Sequence, residues 1–252
     1  MIEPAVVALL LCITFGTYFQ TVTGFGVGMI VMGAASGFDL APLPLVAAVV
    51  SLMALVNSAV ALHGKLDLID WPAARAVLLG VVPAIVAGVL MLDYLSASAA
   101  DILKLILGAV IAFSGVMFSL RPTPRETRSS NRSFFASGVA AGLFGGMFGM
   151  SGPPVIFHFY RQPMAPATVR AMLLLIFAFT SASRTVFVGL TGGLTRDVWL
   201  LSALAVVLVT LATIAGRRYP PPINPRAMRR LAFSFLILIG LGLMASAANA
   251  LF

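Results

Sequence analysis

Apolar runs as long as a bilayer is thick recur from one end of the chain to the other, and no other feature constrains its fold so tightly. Apolar segments cover residues 4–20, 25–37, 43–62, 73–92 and 101–120, then 134–150, 154–160, 168–190, 198–215 and 231–251, and all but 25–37 and 154–160 approach that length. A helix needs about 20 apolar residues to cross a hydrocarbon core about 30 Å thick. Only 10% of the residues are charged and 60% are hydrophobic, where a soluble domain carries about 25% charged residues. No alternating strand series interrupts the runs. The expected fold is an all-α polytopic membrane protein, embedded in the lipid bilayer of the cell (inner) membrane.

The net charge of +8 does not imply a nucleic-acid partner, because the basic residues sit in short connections between apolar segments. Cys12 is the only cysteine, which removes intrachain disulfides and multi-cysteine metal sites. The opening "MIEPAVVALLLC" lacks a basic leader region and is not expected to be a cleaved signal peptide. Phosphate-binding loops, HExxH and catalytic Ser/His/Asp sets are absent from the sequence, so neither an enzyme nor a cofactor or metal site is expected.

The two sides of the polar stretch "RPTPRETRSSNR" resemble each other. Setting Gly24 against Gly149 pairs Phe19 with Phe144 and Ser58 with Ser183. After a three-residue shift, Gly64 pairs with Gly192, Leu66 with Leu194, Trp71 with Trp199, Gly88 with Gly216 and Leu103 with Leu231. The expected organisation is a first membrane repeat (residues 1–120), a basic linker (121–133) and a second membrane repeat (134–252).

Loop charges separate two topologies. Eight full spans would place seven Lys/Arg on one face and eight on the other, with no bias. If each glycine-broken segment instead enters and leaves by the same face, three spans per half remain. One face then holds thirteen Lys/Arg and the other only Lys104 and Arg196. That asymmetry fits the excess of basic residues in cytoplasmic loops. An odd number of crossings also makes the halves inverted repeats, as in many secondary transporters. The expectation is two re-entrant hairpins and six full spans, with a cytoplasmic linker and both termini outside; eight full spans is the alternative.

The breaks are "QTVTGFGVGM" (residues 20–29) and "GGMFGMSGPP" (residues 145–154). Non-helical backbone at membrane depth persists only where protein buries it or water lines it. A break presents amide groups at the start of the next half-helix, and these attract anions. In an inverted repeat the two breaks are expected to meet near the midplane. The candidate substrate-binding residues are Thr21, Thr23, Gly24, Phe25, Gly26, Asn57, Gly149, Met150, Ser151, Gly152, Pro153 and Arg184. Gly142/Gly146 and Gly145/Gly149 also have the spacing of helix-packing pairs. Such packing leaves a homodimer open as an assembly.

Arg184 lies within an apolar run, where a charge faces a partner, a wet cavity or, by snorkelling, the interface. Asn57 and Ser58 occupy the stretch matching Ser181 and Ser183, and such groups serve either a ligand or neighbouring helices. His158 is either a proton carrier or an interfacial histidine in an aromatic belt. No Asp or Glu falls in the middle of an expected span, which suits an anionic substrate.

At "TGFGVG" and "GMFGMSGPP" the chain resembles the TauE/SafE family of sulfite and organosulfonate permeases, and the likeness spans essentially the whole sequence. That resemblance implies ATP-independent transport of a small sulfur-containing anion such as sulfite or sulfoacetate. It directs attention to residues 23–28 and 149–154; Met150-Ser151 stands where many relatives carry further glycines. A channel-like or assembly subunit, or a carrier of a non-sulfur anion, is the competing reading.

Overall fold

The computed structural model describes residues 3–23, 26–62, 66–119, 125–219 and 225–251. These form α1 (Pro4–Thr23), α2 (Val27–Gly37), α3 (Leu43–Leu62), a 3₁₀ turn at Leu66–Leu68, α4 (Trp71–Ser98) and α5 (Ala100–Ser119). After the linker come α6 (Asn131–Phe148), α7 (Gly152–Tyr160), α8 (Pro166–Leu190), α9 (Arg196–Arg218) and α10 (Pro225–Leu251). No strand occurs among the described residues.

By length and composition α1, α4, α5, α8, α9 and α10 can each cross a membrane, and the chain is a multi-pass membrane protein. Several helices outrun their apolar cores. α4 extends past residue 92 to Ser98, and α10 begins at Pro225 rather than near residue 231. Hydropathy marks where lipid begins, whereas backbone hydrogen bonding carries a helix on into the interface.

The helices pack as two compact units, one of Met1–Val49, Asp93–Leu120 and Thr195–Phe252, the other of Val50–Leu92 and Arg121–Leu194. Each unit combines a broken segment from one half of the sequence with long helices from both.

In the first unit α5 and α10 run antiparallel with backbones in close approach. Gly108 faces Gly240, and Gly115 faces Phe233 and Ile237. α2 lies on this pair, where Gly33 has room for no more than hydrogen beside Ile239 and Ile111. α1 packs on α9, and the Tyr18 hydroxyl donates to the Tyr219 carbonyl at 2.9 Å. Asp39, just beyond α2, pairs with Lys104 of α5 at 2.9 Å.

In the second unit α4 and α6 run parallel. Val77 meets Gly138, Val81 meets Gly142, and Ile85 meets Gly146. These four-residue steps interdigitate the i±4 rows of both helices, and glycine lets the backbones touch. α7 turns back along α6, so that Phe134, near the start of α6, meets His158 edge-to-face and Phe159 at a tilt at the end of α7 (ring centroids 4.7 and 5.3 Å).

One contact recurs in both units. Gly216 of α9 sits against the Tyr18 carbonyl and Thr21 of α1, and Gly88 of α4 sits against the Leu143 carbonyl and Gly146 of α6. These are the positions that the internal sequence alignment pairs.

Candidate functional site: the two helix breaks

The first break follows Thr23. α2 begins not beyond the end of α1 but beside it: Val27 lies against Gly16, and the Gln20 side-chain oxygen accepts the Val27 N–H at 3.1 Å. Gly26 adopts φ +111, a conformation disfavoured for residues with a Cβ, and a side chain there would come against the edge of the Phe19 ring. The break is narrower than the sequence implied, because Thr21 is still helical. Its hydroxyl donates to the Thr17 carbonyl at 2.8 Å, and its side chain packs on Gly216. The oxygen has one proton, already committed, so Thr21 can donate to an anion only after rotating its side chain. Gly24 and Phe25, with the side chains of Thr23 and Asn57, lie outside the described residues.

The second break is described completely. Gly149 ends α6 in the left-handed conformation, φ 67. Its N–H reaches the Gly145 carbonyl at 3.0 Å, and that of Met150 reaches the Phe144 carbonyl at 3.3 Å. Ser151 then starts α7 without a side-chain capping bond. Met150, Ser151 and Pro153 are buried, and Gly149 and Gly152 are half-buried. Because Pro153 and Pro154 carry no N–H, Gly152 is the only amide donor among the first three residues of α7. The donors at this break are therefore few: the Ser151 and Gly152 amides and the Ser151 hydroxyl.

One face of α8 lines the break. The Phe177 ring lies next to Gly152, and Thr180 fills the space beside Gly145, where Ser151 also approaches. One turn further on comes Arg184, only 1% exposed, the one buried charged side chain among the described residues. It does not snorkel. Its Nε donates to the Gly146 carbonyl at 2.9 Å and its Nη1 to the Ser51 hydroxyl at 3.4 Å.

The Gly146 carbonyl belongs to the last turn of α6, whose carbonyls have no helical partner. The guanidinium thus satisfies an orphan acceptor and sets positive charge against the negative end of the α6 dipole. It also puts a formal cation at the break. Ser58 and Ser181 are buried in the same unit. Gln20, Ser51, Phe177 and Thr180 were not among the expected site residues. For Phe177 and Thr180 the signal was present, since they share a helical face with Arg184 at i−7 and i−4.

His158 lies away from the break. It is half-buried at the end of α7, where burial, then Arg125 and Arg161, lower its pKa to about 4. It is neutral near pH 7, and its Nε2 is buried without a hydrogen-bond partner among the described residues. Around it Gln162 links α7 to the linker, accepting the Ser129 N–H at 2.9 Å and donating to the His158 carbonyl at 3.0 Å. The Arg125 N–H donates to the Arg161 carbonyl at 2.8 Å.

Comparison with known proteins bears on what such breaks do. A protein of Cupriavidus necator named "Probable sulfite/organosulfonate exporter TauE" is 55% identical over 235 residues, covering 93% of this chain and 92% of that protein. No solved structure gives a significant match. The sequence model described as "Sulfite exporter TauE/SafE" matches residues 9–243, taking in both breaks, four of the six long apolar helices whole and most of the first and part of the last. On that match the chain belongs to the sulfite exporter TauE/SafE family of membrane transporters.

Proposed function

We propose that the protein is a secondary transporter that moves a small sulfur-containing oxyanion, sulfite or an organosulfonate, across the cytoplasmic membrane. The observation that carries this reading is the second break, where the Ser151 hydroxyl and the Gly152 amide stand at the start of α7 and the buried Arg184 guanidinium holds the Gly146 carbonyl in the last turn of α6. A sulfonate offers three oxygens and one negative charge. The two donors and the cation match that demand, and the amide end of a helix favours it further. The printed name of the Cupriavidus necator relative supports the sulfur-anion class. At the first break the α2 start is held by Gln20, whose side-chain oxygen already accepts the Val27 amide.

Re-entrant hairpins support the transporter reading. Because α7 returns along α6, the linker at Arg125 and the connection at Arg161 share one end of their unit. Eight full spans would set those two connections on opposite faces. Asp70, just before α4, pairs with Arg128 at 3.1 Å and so joins the same basic end. The matched contacts of Gly216 and Gly88 support the inverted repeat. With the basic end cytoplasmic, both termini lie outside. Transport then consists of exposing the anion-bearing break to each face in turn.

Purified protein in liposomes is expected to give saturable uptake of labelled sulfite or sulfoacetate, accelerated by unlabelled substrate on the opposite side. Linear flux without counterflow would instead identify a channel-like subunit. Stabilisation by carboxylates and not by sulfite, sulfoacetate, taurine or thiosulfate would contradict the substrate class.

A further inference from the structure

A groove of about 470 Å³ opens between the first turns of α4 and α6, away from both breaks. The helices are parallel, so both N-termini stand at its mouth, and the backbone contacts of Gly80 and Gly138 close its inner end. Arg75 lines one wall and Arg132 the other. Both are exposed, and neither has an ion pair or hydrogen bond among the described residues.

The acid nearest Arg75 in sequence is already committed. Asp70 accepts the Ala73 N–H with Oδ1 and pairs with Arg128 through Oδ2. α6 adds partial positive charge, because Ser130 at its start makes no side-chain capping bond.

Below the two cations the groove is apolar. Leu79, four residues beyond Arg75, lies about 6 Å deeper along its helix and is 68% exposed. Phe135, three residues beyond Arg132, is 44% exposed. Trp71, the first residue of α4, is also exposed and sits where indole rings favour the membrane–water interface. Two unneutralised cations at headgroup level above an apolar wall have the complementarity of one kind of molecule, an amphiphile with an anionic head. A soluble anion would leave Leu79 and Phe135 uncovered, and a zwitterionic lipid would neutralise neither cation, because its phosphate is already balanced by its own ammonium group.

We propose that this groove binds an anionic phospholipid, its phosphate between Arg75 and Arg132 and an acyl chain against Leu79 and Phe135. Bound there, the lipid ties the start of α6, whose far end carries the second break, to the start of α4.

The test uses the full chain in detergent, with native mass spectrometry and thermal unfolding on addition of phosphatidylglycerol, phosphatidylcholine or inorganic phosphate. Wild type is expected to retain one phosphatidylglycerol and to melt higher in its presence. Arg75→Gln with Arg132→Gln should lose both responses while melting like wild type without lipid. A control removing equal charge elsewhere, Arg170→Gln with Arg196→Gln, should keep them. Equal loss in the control, an equal response to phosphatidylcholine or to phosphate, or retention by the Arg75/Arg132 pair variant would overturn the assignment.

Discussion

At the residue scale Arg184 carries two demands that mutation can separate. It satisfies the Gly146 carbonyl, and it supplies the cation at the break. Arg184→Met removes both and leaves a buried acceptor without its donor, at a cost of about 1.5–3 kcal/mol for a charge-assisted bond. The melting temperature is expected to fall, and substrate stabilisation to vanish. Arg184→Lys keeps the charge but lacks the guanidinium fork. It should recover part of the stability while substrate affinity stays reduced; full recovery of affinity would assign the residue to charge alone.

Ser151→Ala makes the cleaner test of the anion reading, because its hydroxyl caps nothing. Unfolding without ligand should be unchanged, while the thermal shift from sulfite or sulfoacetate should shrink. An unaltered shift would remove Ser151 from the site.

His158 belongs to stability. Its pKa is lowered to about 4, below the ordinary histidine value of 6.5. Between these values the unfolded chain binds more protons than the folded one, so stability rises with pH through that window. On acidification the contribution is lost from about pH 6.5 down to about pH 4 and is constant above. A stability–pH profile of His158→Gln is expected to be flatter in that window than wild type.

At the scale of elements, small residues decide which helices can touch. A methyl on Gly138 would collide with the Val77 carbonyl, and one on Gly240 with the Gly108 carbonyl and Ala112. Gly242, two residues from Gly240, has nothing within 4 Å of that position. Gly138→Ala and Gly240→Ala are expected to destabilise by about 1–3 kcal/mol through overpacking. Gly242→Ala should instead be neutral or stabilising by up to about 1 kcal/mol, since alanine is the better helix former. Thermal unfolding of the three variants checks the contrast, and equal effects would refute the close approach. Gly142, Gly145 and Gly146 of α6 accordingly serve packing, while Gly149 at its end serves the turn.

At the scale of the whole molecule the testable matter is which connections share a face. With Cys12 replaced by serine, single cysteines at Glu126 and Pro163 should react with a membrane-impermeant maleimide from the same side, and one at Asp93 from the other. Labelling of Glu126 and Pro163 from opposite sides would restore eight full spans. In the sequence the charge asymmetry is what argues for that arrangement, because thirteen basic residues fall on one face only if the broken segments return.

The composition and periodicity of the chain determined by themselves that it is helical and membrane-embedded, and where its helices break. Those properties follow from local hydropathy and from residues, glycine and proline, whose backbone preferences are intrinsic. Partnership was decided only in the tertiary structure. Nothing in the order of residues says that α4 packs on α6 or α9 on α1, that Thr21 spends its proton on its own helix, or that Arg184 turns inward to a glycine carbonyl. Each depends on which helices approach closely enough to exclude lipid, and that is fixed by three-dimensional packing rather than by any local signal.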